Sequence, residues 1–383
     1  MRPGLDAILA ACSALGNPQD KVRAVHVAGT NGKGAVCAIL DSCLRAAGCR
    51  TGRYTSPHLV RLNERFFIDG APVSDEILEK HTVVNADLTY FEALTAVAFS
   101  LYADAKLDYV ILETGLGGRM DATNICRPVV TVITRIGLDH CDWLGNTITE
   151  IASEKAGIIK KGVPVIVGEN CEDALKTIRN RAEELGAPFV YAPDIASFDE
   201  IPADFSLPGR FNKENAVTAL AALKTMGIRG FESGFKSVVW PGRFQRIGNF
   251  IVDGAHNPPA AGALAGALAE SPRLESMIAG FCGDKDVDEV LRILAPYVRR
   301  GYAVKTQNPR SLPAEIVAEK MKLAGIDAIP CDSLKKAIDS AGTVPTLICG
   351  SLFLAGEALV ELGAYPWGQS PQFDPAEALR PAD

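Results

Sequence analysis

Val25-His26-Val27-Ala28-Gly29-Thr30-Asn31-Gly32-Lys33-Gly34-Ala35 is a short apolar strand running directly into a glycine-rich turn. Behind it, Val36, Ile39, Leu40, Cys43, Leu44 and Ala47 recur at helical spacing. Strand, glycine turn, lysine and helix in this order form a phosphate cradle. Glycines let successive backbone N–H groups converge on an anion, and the helix N-terminus adds partial positive charge. Lys33 supplies a full charge that can reach β- and γ-phosphates. The wording departs from the usual P-loop in two places. Two residues rather than four separate Gly29 from the Gly-Lys pair, and Ala35 stands where a metal-binding Ser or Thr is expected. A glycine–lysine pair also occurs in tight βα turns without a ligand. The spacing Gly-x-x-Gly-Lys-Gly around Thr30-Asn31 is rarer and points to a nucleotide site.

Working outward, the pattern predicts a helix over 89–102 and strands over 108–112, 129–134 and 163–167. A helix holding Ile151, Lys155 and Ile158 precedes the last of these. Residues 52–65 are polar and punctuated by Pro57, so they read as loop. Strands alternating with helices imply a mainly parallel sheet covered on both faces. Lys33, Glu113 and His140 each follow a different strand by a few residues, at the carboxyl ends where open α/β sheets bind ligands. Residues 206–215 read as a loop opening a helix through Leu223, and the pattern restarts around Trp240-Pro241-Gly242-Arg243. Strands over 250–252, 276–280, 302–305 and 346–349 then alternate with helices over 287–298 and 313–324. The expected architecture is α/β: a P-loop-type, mainly parallel ATPase domain over 1–240, then a smaller Rossmann-like domain over 241–383. The proline-bearing tail from about 365 is expected to be mobile.

The chain has 383 residues, 48% apolar and 22% charged, the balance of a globular chain able to bury a core. A net charge of −7 argues against a general nucleic-acid or anionic-membrane binder. The ten cysteines include no C-x-x-C pair, so reduced thiols in a cytoplasmic protein are expected, without a zinc ribbon or disulfide framework. No run approaches the roughly 18 apolar residues of a membrane span.

Taken singly, the candidate residues stay ambiguous. Glu113 closes an apolar strand before Thr114-Gly115-Leu116-Gly117-Gly118, where a carboxylate can hold Mg²⁺ or merely cap a loop. His140 is a metal ligand or a satisfied histidine, and Lys155 beside Glu154 has the pattern of a surface lysine. Asp253 and His256 flank a strand-end turn fit for ribose hydroxyls and a base, or for plain caps. Arg243 reads as a phosphate contact or a surface arginine. Together they suggest an ATP-using enzyme of two domains with the nucleotide between them, its acceptor left open.

The motifs then become specific as a set. Val-Ala-Gly-Thr-Asn-Gly-Lys-Gly at 27–34, Thr-Ser-Pro-His-Leu at 55–59 and Glu-Thr-Gly-Leu-Gly-Gly-Arg-Met-Asp-Ala-Thr-Asn at 113–124 occur in order. Gly137–His140 with Asp142-Trp143-Leu144-Gly145, residues 154–158, 253–258 and Gly350-Ser351-Leu352 continue the series. Over about residues 15–357 the chain resembles the folylpolyglutamate synthase/dihydrofolate synthase family of the Mur ligase superfamily. The resemblance implies an ADP-forming amide ligase acting on dihydropteroate and reduced folates. The acceptor carboxylate attacks the ATP γ-phosphate, and the glutamate amine displaces phosphate from the acyl phosphate. By resemblance, ATP lies on Gly29, Thr30, Asn31, Gly32, Lys33, Gly34, Ala35, Asn215, Arg243, Asp253 and His256. The catalytic set is Lys33, His140, Lys155 and Arg243. Mg²⁺, at two sites, falls to Glu113, His140 and a carbamylated Lys155, and K⁺ is a further cation the resemblance allows. Thr55, Ser56, Pro57, His58, Phe91 and Asp121 form the folate pocket. A monomer with only small-molecule partners is implied.

Two departures stand out. Ala35 lacks the hydroxyl the family places on Mg²⁺, and Phe211-Asn212 replaces a His-Gln pair, which leads us to expect weaker metal or ATP affinity. The alternatives are a related ligase for another carboxylate and a degenerate nucleotide-binding relative. Residues 55–59 speak against the first; Lys33, Glu113, His140, Lys155 and Arg243 speak against the second.

Overall fold

The computed structural model describes residues 4–82, 87–283 and 285–368. They fall into two compact units, the first reaching Ser206 and including Asn212–Val239, the second Leu207–Phe211 with the residues from Trp240. Most of the tail expected to be mobile, from 369 on, lies outside the described residues. Among them no helix is long and apolar enough to cross a membrane.

The first unit is built on eight strands: β1 (Ala24–Ala28), β2 (Thr51–Tyr54), β3 (Phe66–Ile68), β4 (Ala71–Pro72), β5 (Tyr109–Glu113), β6 (Pro128–Ile133), β7 (Val165–Val167) and β8 (Phe189–Tyr191). Their order is β4-β3-β2-β5-β1-β6-β7-β8, parallel from β2 to β8, with β3 and β4 antiparallel. The centre is β5-β1-β6, whose near-continuous apolar runs are buried on both faces, as a covered parallel sheet requires. Val27 pairs with Glu113 and Ala28 with Ile133, so the three strands end almost level. The helix Lys33–Ala46 starts from this end and buries residues 34–44 on every face.

Residues 52–65, read as loop, are mostly ordered structure. Residues 51–54 form β2 and Leu62–Arg65 a 3₁₀ turn; only 55–61 are irregular. Polarity misled because the polar groups are internal. Arg53 is buried 3.4 Å from Asp41 and lies over the Phe67 ring at 3.9 Å. Tyr54 is fully buried against Phe66. Likewise the segment at 206–215 becomes helical at Arg210, the start of Arg210–Thr225.

The second unit carries β9 (Gln245–Ile247), β10 (Phe250–Val252), β11 (Leu274–Ala279), β12 (Val298–Ala303), β13 (Asp327–Pro330) and β14 (Thr346–Cys349), in the order β13-β12-β11-β14-β10-β9. Every pairing is parallel except that of β9 with β10. Its core centres on Met277, Phe281, Leu291, Leu294 and Leu347. The strand expected at 302–305 begins earlier, at Val298, because its exposed Arg299 and Arg300 hid the alternation.

Candidate active site

The turn after β1 is clamped to the segment after β6. Thr30 N and Asn31 N both donate to Arg135 O, at 2.9 and 3.3 Å, and Thr30 Oγ1 exchanges hydrogen bonds with Gly137 at 3.0 Å. Thr134 Oγ1 donates to Asn31 O at 2.7 Å. The amides of Thr30 and Asn31 are therefore committed within the chain. The anion donors left by helix geometry are those of Gly32, Lys33, Gly34 and Ala35, the first orphan N–H groups of the helix capped by Gly32. Gly32 has φ +86°, and a Cβ there would come within 2.2 Å of Asn215 Oδ1, so Asn215 lies directly over the turn. Gly32→Ala is expected to cost about 1–3 kcal/mol of stability and to weaken nucleotide binding. Thermal melts with and without ADP check both effects.

Two lysines meet on one carbonyl. Lys33 Nζ donates to Gly29 O at 3.0 Å and Thr30 O at 3.2 Å, while Lys155 Nζ donates to Gly29 O at 2.8 Å. Lys155 is no surface residue: it is 3% exposed. Burial, then the Lys33 charge, pushes its amine down to about 7, against the opposing pull of Asp139 and Asp121. Its neighbour Glu154 faces outward instead, on Arg119 at 2.7 Å. Glu113, at the end of β5, is buried and accepts from Ser56 N at 3.0 Å. His140, half exposed with φ +52°, has its Nε2 3.9 Å from Asp139 Oδ2. Asn215 lies over the turn that carries Lys33, Lys155 joins it through Gly29, Glu113 closes the neighbouring β5, and His140 follows β6 three residues beyond the Gly137–Thr30 contact.

The segment 55–61 begins beside Glu113 and includes a cis Ser56–Pro57 bond. Thr55 is buried, its N bonded to Arg65 O at 3.1 Å. Glu64 holds the far side. Its carboxylate accepts from the amides of Leu59, Val60 and Arg61 at 2.6–2.8 Å. Arg65 Nε donates to His58 Nδ1 at 3.0 Å, which fixes the neutral ring with its hydrogen on Nε2. The Phe91 ring lies 6.0 Å from Tyr54, and a Cβ on Gly115 would come within 2.6 Å of its Cζ. Asp121 is turned inward. Its Oδ2 accepts from Gly115 N and Leu116 N at 2.8 and 2.9 Å, and its Oδ1 from the amide and hydroxyl of Thr123. This carboxylate organises the glycine turn after Glu113.

Burial and Arg65 push His58 down to about 3; burial and Lys160 do the same for His26. Between about 3 and 6.5 the unfolded chain binds more protons than the folded one, so stability is full above 6.5 and falls as acid is added. The slope is up to about 1.4 kcal/mol per pH unit for each histidine. His58→Gln is expected to flatten the acid side of the stability profile, read from urea unfolding at pH 4.5 and 7.

In the second unit, Arg243, Asp253 and His256 surround one turn. Asp253 accepts from Phe244 N and Ala255 N at 2.7 Å each, and Gly254 N donates to Gly242 O at 2.9 Å. Arg243 Nη1 donates to Gly242 O at 3.1 Å and lies against Gly254. Burial pushes the Asp253 carboxyl up, opposed first by Arg243. His256 Nδ1 donates to Gly254 O at 2.8 Å, so the hydrogen on that side of the ring is fixed. Phe211 packs edge-on against Phe244 at 6.3 Å, an apolar use of the position where the sequence departs from its resemblance. Asn212 is buried.

Sequence reading missed Thr134, Arg135, Asp139, Glu64, Arg65 and His26. Their signals were weak because each acts on a partner fixed only by folding; Glu64-Arg65, five residues past the end of the 55–59 motif, was the most accessible clue.

Models of the Mur ligase middle domain and of the Mur ligase glutamate ligase domain match residues 27–200 and 242–345. Fold and site therefore define a Mur ligase. The dihydrofolate synthase/folylpolyglutamate synthase of Escherichia coli is 36% identical over 94% of this chain and 92% of its own length. The solved E. coli FolC in complex with DHPP and ADP is similar at a TM-score of 0.85 and 34% identity, over 95% of this chain and 94% of that one. The bifunctional enzyme from Yersinia pestis, complexed with AMPPNP and Mn ion, gives 0.83 and 32%, over 95% and 94%. The chain belongs to the folylpolyglutamate synthase/dihydrofolate synthase family.

Proposed function

We propose that this chain is an ATP-dependent, ADP-forming ligase that joins L-glutamate to dihydropteroate and to reduced folates through an acyl phosphate. The observation that carries the reading is the pair of lysines on Gly29 O at the mouth of a helix N-terminus, in a chain of this family. A carboxylate is a poor electrophile, and phosphorylation converts its oxygen into a leaving group. The orphan amides of Gly32 to Ala35 and the Lys33 ammonium are suited to hold the γ-phosphoryl group and the charge that develops on it. Asn215 covers the turn, and Thr30 and Asn31 shape it through their bonds to Arg135. Arg243, Asp253 and His256 are the second unit's proposed contribution to ATP, Arg243 to phosphate and the other two to ribose and base. Residues 241–383 are read as the glutamate ligase domain and 1–240 as the ATP- and folate-binding one.

Among the described residues no three His, Cys, Asp or Glu side chains converge as a metal cage. The donor set suits Mg²⁺, which takes one or two carboxylates and completes its shell with phosphate oxygens and water. Glu113 and His140 would hold it, with Lys155 as a carbamate providing a further anionic ligand. The ion, when bound, neutralises phosphate charge. Ala35 contributes no hydroxyl, and Ala35→Ser is expected to lower the Mg²⁺ concentration for half-maximal rate several-fold. An unchanged Mg²⁺ titration would show that the position has no part in metal binding. For the folate, His58 offers a fixed Nε2–H donor, Phe91 an aromatic wall, and Thr55, Ser56 and Pro57 the loop beside Glu113.

The test is ADP formation with ATP, Mg²⁺ and glutamate in the presence of dihydropteroate, tetrahydrofolate or no acceptor. Release with both acceptors supports the bifunctional reading. Release with one identifies the single activity present. Silence with both, while ADP still raises the melting temperature, moves the assignment to another carboxylate.

A further inference from the structure

We propose that His26 is a positioning residue for the folate side of the site, acting through Thr123 on Asp121 and on the turn that follows Glu113. The proposal rests on the functional reading above.

His26 lies in the middle of β1, the central strand, fully buried. Its Nε2 is 2.8 Å from Thr123 Oγ1. That hydroxyl has one proton, and it donates to Asp121 Oδ1. A hydroxyl whose proton is committed to a carboxylate can only accept from the imidazole, so His26 is the neutral tautomer with hydrogen on Nε2. Its Nδ1 is buried and meets no hydrogen-bond partner among the described residues. An apolar side chain would avoid that unpartnered nitrogen, so what the histidine contributes is the bond from Nε2.

The bond has a direction and an end point. With Thr123 oriented by His26, Asp121 Oδ1 is satisfied by the Thr123 amide and hydroxyl, and Oδ2 is left to the amides of Gly115 and Leu116. Gly115 is the residue on which the Phe91 ring rests, and Glu113 lies two positions earlier. Loss of the imidazole donor frees the Thr123 hydroxyl to turn from Asp121, and the carboxylate then loses the partner that sets its plane. The turn beneath Phe91 relaxes, while the turn at 29–32, held independently by Thr134 and Arg135, does not.

The experiment compares His26→Leu, His26→Gln, Thr123→Val and the double variant of His26→Leu with Thr123→Val. We expect His26→Leu to raise KM for the folate acceptor at least tenfold with the Kd of ADP within twofold of wild type. His26→Gln, whose amide can donate from nearly the position of Nε2, is expected to restore most of that loss. The double variant should match the worse single variant, because both break one chain. The ¹⁵N spectrum of the histidine-labelled wild-type protein should show His26 and His58 protonated on Nε2 alone, with the signals that His26→Leu removes also altered by Thr123→Val.

An unchanged folate KM in His26→Leu overturns the proposal. So does an ADP Kd that worsens as much as the folate KM, a His26→Gln variant as impaired as His26→Leu, or fully additive effects. If wild type releases no ADP with either acceptor, the functional reading fails and the folate-side assignment falls with it. The imidazole spectrum then still decides whether the hydrogen-bond chain exists.

Discussion

Lys33→Met is expected to lower ADP formation at least a thousandfold, about 4 kcal/mol of transition-state stabilisation, with little change in melting temperature. The methionine stem keeps the packing of the lysine and removes only the charge. In the structure that charge rests on Gly29 O and Thr30 O, at 3.0 and 3.2 Å. Two backbone carbonyls are weak competitors for a phosphate bearing full negative charge. The phosphoryl oxygens gain charge as the bond to the leaving ADP lengthens, and a cation already in place stabilises that change without reorganisation. The measurement is a single-turnover assay alongside the shift in melting temperature caused by ADP. A variant turning over within tenfold of wild type would show that Lys33 is not the phosphoryl-binding cation.

Lys155→Arg is expected to reduce turnover by a factor of about 100–1,000. The physical argument is the protonation state. With the amine pushed down to about 7, roughly half is neutral at neutral pH, against about three in ten thousand for a lysine at 10.5. Only the neutral amine adds to CO₂, and the product is a carbamate, an anion in place of a cation. Arginine keeps its charge in any site and cannot make this exchange. Burial is the leading cause of the shift and the Lys33 charge the second, so the residue proposed to hold phosphate also favours the neutral form of its neighbour. A ¹³C signal from labelled bicarbonate, present in wild type and absent in Lys155→Arg, should accompany the activity loss. Full activity in CO₂-free buffer, with no such signal, would assign Lys155 a simple cationic role instead.

The sequence made Lys33, Glu113 and His140 legible because each sits just beyond an apolar strand, and strand ends in a parallel sheet point to one edge. In the structure the strands they follow or close, β1, β5 and β6, are neighbours in the sheet. The same reasoning failed for Lys155, whose helical neighbours gave no sign that it faces inward. It also failed for Arg53 and Tyr54, where polar residues serve as internal partners and a strand was read as loop. Asp121 was assigned to the ligand by resemblance, and the structure turns its carboxylate onto four donors of its own chain.

By itself the sequence determined the α/β class, the phosphate turn and the family, because apolar period, glycine placement and contiguous motifs are local properties. Only the tertiary structure decided which amides at the turn remain for an anion, that Lys155 is poised between charged and neutral, and that His58 and His26 each have a fixed hydrogen. Those properties arise from burial and from partners far apart in the chain, Gly29 with Lys155 and His26 with Thr123 among them. Periodicity along a chain carries no information about such distances.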